Sequence, residues 1–320
     1  MSNKLYNEQS VQDIADAIRS VSGSSDTYTI GEMSAAVAGI STGLDWAQLG
    51  YDTSGENKGT PAEIVNGFNY AKSIIESYTS ASTYSNDTKL MFWPNIDITG
   101  RYYYETMFAK SNLIHCPPLT LGDSSHLESS ANLKWAFRET RIEDIELSTI
   151  NNNAIPVSCS NAFLDCKNLK TVKFNCEVGA IEYMFSGCTS LTTVNNFTHN
   201  ISSVVVGTEA FKNCSSLVTA PTITNFGSIT AMNGFFNGCT LLENIPVYDT
   251  SAITSWSNAF ANCTSLTDTS LDNILQMCIG ATSYNGTKKL STLGVNSIYD
   301  SIIPTLDHYN DFITAGWIIR

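Results

Sequence analysis

Cysteine is the most reactive side chain in this 320-residue sequence, and nine are present. Five of them, Cys166, Cys188, Cys214, Cys239 and Cys263, follow one another at steps of 22, 26, 25 and 24 residues. A metal site calls for ligands close in sequence, as in C-x-x-C or H-x-x-x-H, and neither spacing occurs. Disulfides call for an oxidising compartment and paired geometry. The regular interval favours a role without chemistry, as small buried hydrophobes that stack; disulfides and metal are the alternatives. Cys116, Cys159, Cys176 and Cys278 lie off this ladder.

Other chemistry is sparse. His115, His126, His199 and His308 are scattered. Glu143, Asp144 and Glu146 form a carboxylate cluster. Two carboxylates at a set separation cleave glycosidic bonds, but on a repeat surface these three read as a solvated loop. There is no Walker loop, HExxH, GxSxG or dinucleotide fingerprint. No catalytic residue, metal or cofactor is expected.

The elements that carry the cysteines form a repeat. Phe163, Phe185, Phe211, Phe236 and Phe260 each stand three residues before a ladder cysteine, and Leu169, Leu191, Leu217, Leu242 and Leu266 three residues after. The residue before each Phe is apolar: Ala162, Met184, Ala210, Phe235 and Ala259. Degenerate copies precede them at Met107-Phe108 and Ala136-Phe137. Units this small cannot bury an apolar face alone, so they must stack into one shared core. The stretch running three residues on from each Leu, to Val172 or Val194 for example, reads as a short parallel strand. The Phe-x-x-Cys segment reads as a turn or short helix opposite it.

Composition agrees. Charged residues make up 15% of the chain, against about 25% in an average globular protein. A net charge of −13 repels phosphate, so nucleic acid is not an expected partner. No apolar run is long enough to span a membrane. The start, Met1 to Ser10, is polar, and a chain that folds in the cytosol without an export signal is the expectation.

Four regions follow. Residues 1–41 carry two short amphipathic stripes, one including Val11, Ile14 and Ile18, the other Met33 and Val37. This helical attachment module is expected to pack on another chain or on copies of itself; folding back on the cap helix is the alternative. Residues 42–89 are a linker and an N-terminal cap helix, opened by the capping box Thr60-Pro61-Ala62-Glu63. That helix is expected to bury Ile64, Phe68, Ala71, Ile75 and Tyr78. Residues 90–270 are the repeat. Residues 271–320 are a C-terminal helical cap, with Leu271, Ile274, Leu275 and Cys278 on one stripe that begins near Asp268. Ser297–Ile303 and His308–Ala315 are expected to be short helices, interrupted by Pro304 and ended at Gly316.

These repeats, Phe-x-x-Cys-x-Ser-Leu in three of the five copies, resemble the BspA-type leucine-rich repeats of bacterial surface proteins. So do the unit starts Leu90 to Pro94 and Asp97, and Leu242 to Pro246 and Asp249. The resemblance implies an α/β solenoid with short parallel strands, a small N-terminal helical module and a C-terminal helical cap. The flanks are similar to phage tail and baseplate proteins from gut-bacterial prophages, in Tyr6 to Ser10, Ile14 to Arg19, Ser25 to Thr29, and Asp272 to Trp317.

The resemblance implies a phage virion protein, a tail-tip or tail-fibre component that recognises the host surface. It would assemble in the host cytoplasm and face outward after lysis. Its partners would be tail or baseplate proteins, through residues 1–41, and a host-surface glycan or protein; self-association is also open. A purely structural baseplate or head decoration protein, or a bacterial surface adhesin, is the alternative.

Candidate receptor-binding residues are Tyr102, Tyr103, Tyr104, Lys170, Lys173, Thr192, Glu243 and Tyr248. Exposed aromatics serve as binding platforms, and at least one of the three successive tyrosines must point outward on a strand. Trp135 and Trp256 are weaker aromatic candidates, with core or cap packing the preferred reading for Trp256. Six of the 17 basic residues gather in Lys134, Arg138, Arg141, Lys167, Lys170 and Lys173. They read as an anionic-glycan site or as ordinary surface lysines and arginines.

Overall fold

The computed structural model describes residues 61–79, 82–99, 104–122, 132–150, 157–197 and 205–320. The attachment module and its residues Val11, Ile14, Ile18, Met33 and Val37 lie outside the described residues, as do Tyr102 and Tyr103.

Helix α1, Pro61–Ser77, opens on proline, where a missing N–H costs nothing. Ala71 is wholly buried and Ile74 is 2% exposed, whereas Ile75 is 43% exposed. The expected stripe is therefore one residue off at Ile75. Gly67 sets the choice, because a Cβ there would sit 3.0 Å from a ring carbon of Phe92. Gly67, Ala71, Ile74 and Tyr78 (i, i+4, i+7, i+11) fall on one face.

Behind the helix the chain winds into stacked coils, each with a tight turn at its phenylalanine. The turn bonds in two directions. Ala162 donates its N–H back to Cys159 and Leu164 to Asn161, while Asn161, Phe163 and Asp165 donate to Glu182, Met184 and Ser186 of the next coil. The same alternation recurs around Phe108, Phe137, Phe185, Phe211 and Phe236. The alternating N–H groups of these buried turns thus find partners without helix or sheet.

The geometry requires a left-handed residue two before and two after each Phe. The pairs are Thr106 and Lys110, Trp135 and Glu139, Asn161 and Asp165, Tyr183 and Gly187, Glu209 and Asn213, Gly234 and Gly238, and Asn258 and Asn262, all with φ between 53° and 84°. Asn, Asp and Gly tolerate this region best, and they hold eight of these 14 positions.

The aromatic rings stack into a column. Centroids are 5.2 Å apart for Phe108–Phe137, 5.3 Å for Phe137–Phe163, 5.4 Å for Phe163–Phe185 and 5.2 Å for Phe185–Phe211. Phe211–Phe236 and Phe236–Phe260 continue it at 5.5 and 6.3 Å. Trp93 ends it, edge-on to Phe108 at 4.8 Å. Each buried ring contributes about 1.5–3 kcal/mol of transfer free energy. Neighbouring rings add about 0.5–1.5 kcal/mol per pair.

On the sheet side four strands lie in order: β1 Leu119–Leu121, β2 Asp144–Thr149, β3 Thr171–Asn175 and β4 Thr193–Asn195. All pair in parallel. Val172 aligns with Ile145 and Val194, and Phe174 with Leu147, so one face enters the core. Two further strands, β5 Val205–Val206 and β6 Ile229–Ala231, pair in parallel separately. The fold is thus of the leucine-rich repeat kind, with parallel strands in successive coils.

After Leu266 the helix expected from near Asp268 takes the place of a further strand. Thr267 accepts a hydrogen bond from the Ser270 N–H and caps helix α2, Asp268–Gly280. Leu271, Ile274, Leu275 and Cys278 are buried as one stripe. The Ser270 hydroxyl donates to the Glu243 carbonyl at 2.7 Å and accepts from the Ile245 N–H at 2.9 Å. Asn273 donates to the Ile245 carbonyl at 2.8 Å. Helix side chains thereby satisfy backbone groups that a further strand would otherwise pair.

Ser297–Tyr299 and Ile303–Thr305 are separate 3-10 turns, with Pro304 in the first turn of the second. Helix α3, Tyr309–Thr314, is followed by Gly316 at φ 85°. His308 ties α3 to α2, its Nδ1 lying 2.7 Å from Asp272 Oδ2.

Candidate binding face

The strand register decides which side chains leave the core. On β2 and β3 buried and half-exposed residues alternate, as a one-sided sheet requires. The outward positions form rows across the strands. One row runs Asp144, Thr171, Thr193, and the next Glu146, Lys173, Asn195. Continuing the β1 register places Pro118 beside Glu146. A third row places Thr120 beside Ser148 and Asn175, with the Thr120 and Ser148 hydroxyls 3.1 Å apart.

The second row is held by charge. Lys173 donates to Glu146 at 2.9 Å and Asn175 donates to the same oxygen at 2.5 Å. The Lys173 hydrogen bond is the main reason the Glu146 carboxyl lies below the usual carboxylate range, with Asn175 assisting. Lys170 pairs with Glu143 at 2.9 Å.

A groove of about 640 Å³ lies over these rows. Asn95, Pro118, Asp144, Glu146, Lys173 and Asn195 are among the residues that line it. Cys116 also lines it but is itself 2% exposed. Burial pushes its thiol up, and the charge of Asp144 pushes it further.

The nine cysteines are all free. Each ladder thiol donates to the carbonyl of the previous coil's phenylalanine. Cys166 donates to Phe137 at 2.8 Å, Cys188 to Phe163 at 3.0 Å and Cys214 to Phe185 at 3.2 Å. Cys239 donates to Phe211 at 3.0 Å and Cys263 to Phe236 at 3.2 Å. In the degenerate coils Ser111 and Thr140 hold the same position three residues after the ring, buried at 2% and 3%. The position therefore selects a small side chain with a donor hydrogen, a property the cysteine spacing alone does not reveal.

Several candidate residues are placed otherwise than expected. Tyr104 is 1% exposed; its hydroxyl donates to the Ile98 carbonyl at 3.0 Å and accepts from the Gly122 N–H at 2.7 Å. Tyr248 is 4% exposed; its hydroxyl donates to the Pro221 carbonyl at 2.7 Å and its ring stacks on Phe226 at 4.3 Å. Both are core residues with one polar contact, so neither offers a platform for a receptor. Trp256, in contrast, follows its preferred reading as a core or cap residue: it is fully buried and T-shaped to Trp317 at 5.6 Å.

Lys170, Lys173, Thr192 and Glu243 do lie at the surface. The basic cluster is largely engaged. Besides Lys170 and Lys173, Arg138 pairs with Glu139 at 2.8 Å and Lys134 sits 4.4 Å over the Trp135 ring. The groove residues Asn95, Pro118 and Asn195 were not candidates in the sequence. Their alignment becomes visible only once the register is known.

The coils and sheet define a leucine-rich repeat protein. A model of the BspA type leucine rich repeat region matches residues 130–218 and 182–305, in six copies. Together these matches span more than half of the chain, which belongs to this family. Among solved structures, a leucine-rich repeat protein from Bacteroides ovatus ATCC 8483 is 22% identical, with a TM-score of 0.38. That alignment covers 56% of this chain and 42% of the other, so the chain spans less than half of that protein's length. No curated protein matches.

Proposed function

We propose that this chain is a recognition protein of a phage tail tip or tail fibre, which attaches to the host surface through the outward rows of its repeat sheet. The observation that carries the binding role is the run of polar side chains from Asp144 and Glu146 through Thr171 and Lys173 to Thr193 and Asn195, aligned across three strands. Such a row presents a repeating surface to an extended ligand. Binding is preferred over catalysis because Glu143 and Glu146 are each held by a lysine of β3 or the residue before it. Asp144 is left without a second free carboxylate from this cluster to act with it.

The tail assignment rests on the similarity of the flanks to phage tail and baseplate proteins. In this reading residues 1–41 join the virion, residues 90–270 form the recognition solenoid, and the helices of residues 271–320 cap it. Purified protein should then bind host cells and slow adsorption of the phage, and deletion of residues 1–41 should exclude it from particles. Loss from particles without any cell binding would instead indicate a structural baseplate or head protein. Presence on uninfected cells would indicate an adhesin.

A further inference from the structure

The groove over the sheet crosses the strands. Its lining comes from five successive coils: Asn95 in the first, Pro118 in the second, Glu146 in the third, Lys173 in the fourth and Asn195 in the fifth. Adjacent strands are about 4.8 Å apart, so the trough is about 19 Å long. A compact ligand would occupy one part of it, whereas a linear polymer would fill it.

The lining also indicates which polymer. Glu146 and Lys173 neutralise each other at 2.9 Å. Asp144 is exposed and makes no ion pair among the described residues, which leaves the groove with one net negative charge. The protein as a whole carries −13. An anionic glycan would meet repulsion here, and Lys173, an expected anchor for one, is already bound to Glu146. The other polar lining, the Asn95 and Asn195 amides, the Thr171 hydroxyl, the Asp144 carboxylate and the His115 imidazole, uncharged in its neutral form, can donate to or accept from hydroxyl groups. Pro117 and Pro118 add an apolar wall, suited to the C–H face of a sugar ring.

We infer that this groove binds a linear, uncharged oligosaccharide segment laid across the strands from Asn95 to Asn195. The inference rests on the recognition role proposed above and specifies its ligand class and location.

The test is calorimetric titration of the full chain with length series of cello-, manno- and galacto-oligosaccharides, against oligogalacturonate and polylysine. One neutral series should bind, with affinity rising with length until the trough is filled. Asp144→Ala should weaken it about tenfold, the worth of a hydrogen bond to a charged group, and Asn195→Ala about fivefold. Both side chains are exposed, so folding should survive and circular dichroism will verify it. Lys212→Ala, on the turn side of the coils, should change nothing.

Tighter binding of oligogalacturonate or of polylysine, or full affinity in both groove variants, would overturn the inference. So would the absence of binding by every neutral series. If the protein still binds host cells in that case, the recognition role stands and only the ligand class falls. If it binds neither, both fall.

Discussion

The thiol of Cys188 donates a hydrogen bond to the carbonyl of Phe163, one coil earlier, at 3.0 Å. That carbonyl also accepts the N–H of Cys166 at 3.0 Å. One oxygen thus closes its own turn and ties the next coil to it. The same pattern recurs at all five ladder cysteines, and it converts a stack of similar turns into a cross-linked one without disulfides. Replacing Cys188 by Ala removes the donor and leaves a small void. We expect a loss of about 1–2 kcal/mol in urea unfolding. An unchanged midpoint would show that the bond contributes nothing.

The thiols also predict a pH dependence. Burial raises Cys166 and Cys176 to about 12 and also pushes Cys116, Cys159, Cys188, Cys214, Cys263 and Cys278 upward. The unfolded chain loses these protons from about pH 9, while the folded chain keeps them. Between these values the folded state binds more protons, so stability falls as pH rises. Thermal midpoints should be flat between about pH 6 and pH 8 and decline progressively from about pH 9 to 12. Iodoacetamide at pH 8 should label the native protein slowly, and the urea-unfolded protein at all nine cysteines without reductant.

Gly187 tests the left-handed turns. Its φ is 79°, and a Cβ there would meet Asp165 Oδ1 at 2.2 Å. Gly187→Ala should therefore cost about 1–3 kcal/mol. Adding Asp165→Ala should recover the steric part and leave the backbone part, so a double-mutant cycle should show a coupling of about 1 kcal/mol. Additive effects would mean that the side chain simply moves aside.

Ser270 tests how α2 joins the coils. Its hydroxyl serves the Glu243 carbonyl and the Ile245 N–H together. Ser270→Ala leaves the buried Ile245 N–H without its partner, while the Glu243 carbonyl keeps the N–H and hydroxyl of Thr267, for an expected loss of about 1–3 kcal/mol. Hydrogen exchange at Ile245 should accelerate with it. Protection unchanged at that amide would contradict the assignment.

The repeat was legible because equivalent residues occupy equivalent environments. Phe, Cys and Leu recur since each lies on its counterpart, and even the degenerate Phe108 and Phe137 belong to the column. The left-handed positions were hidden, because Lys110, Trp135, Tyr183 and Glu209 carry no sign of the conformation they adopt. Tyr104 and Tyr248 misled for a related reason. A tyrosine reads as amphipathic, but here its hydroxyl finds a buried carbonyl, which sequence does not display. After Leu266 the helix expected from near Asp268 stands in place of a further strand, and Thr267 caps it. The groove depends on register between residues about 25 apart, which no local pattern encodes.

The proposed function places host recognition on the sheet side of the coils. The most direct measurement is saturation binding of labelled protein to host cells, comparing Thr171→Arg/Thr193→Arg on the sheet rows with Lys212→Glu on the turn side. The sheet variant, though folded, should lose at least about tenfold in affinity, while the turn variant should bind as the parent does. Equal binding by the parent and the sheet variant, or loss only in the turn variant, would contradict that proposal.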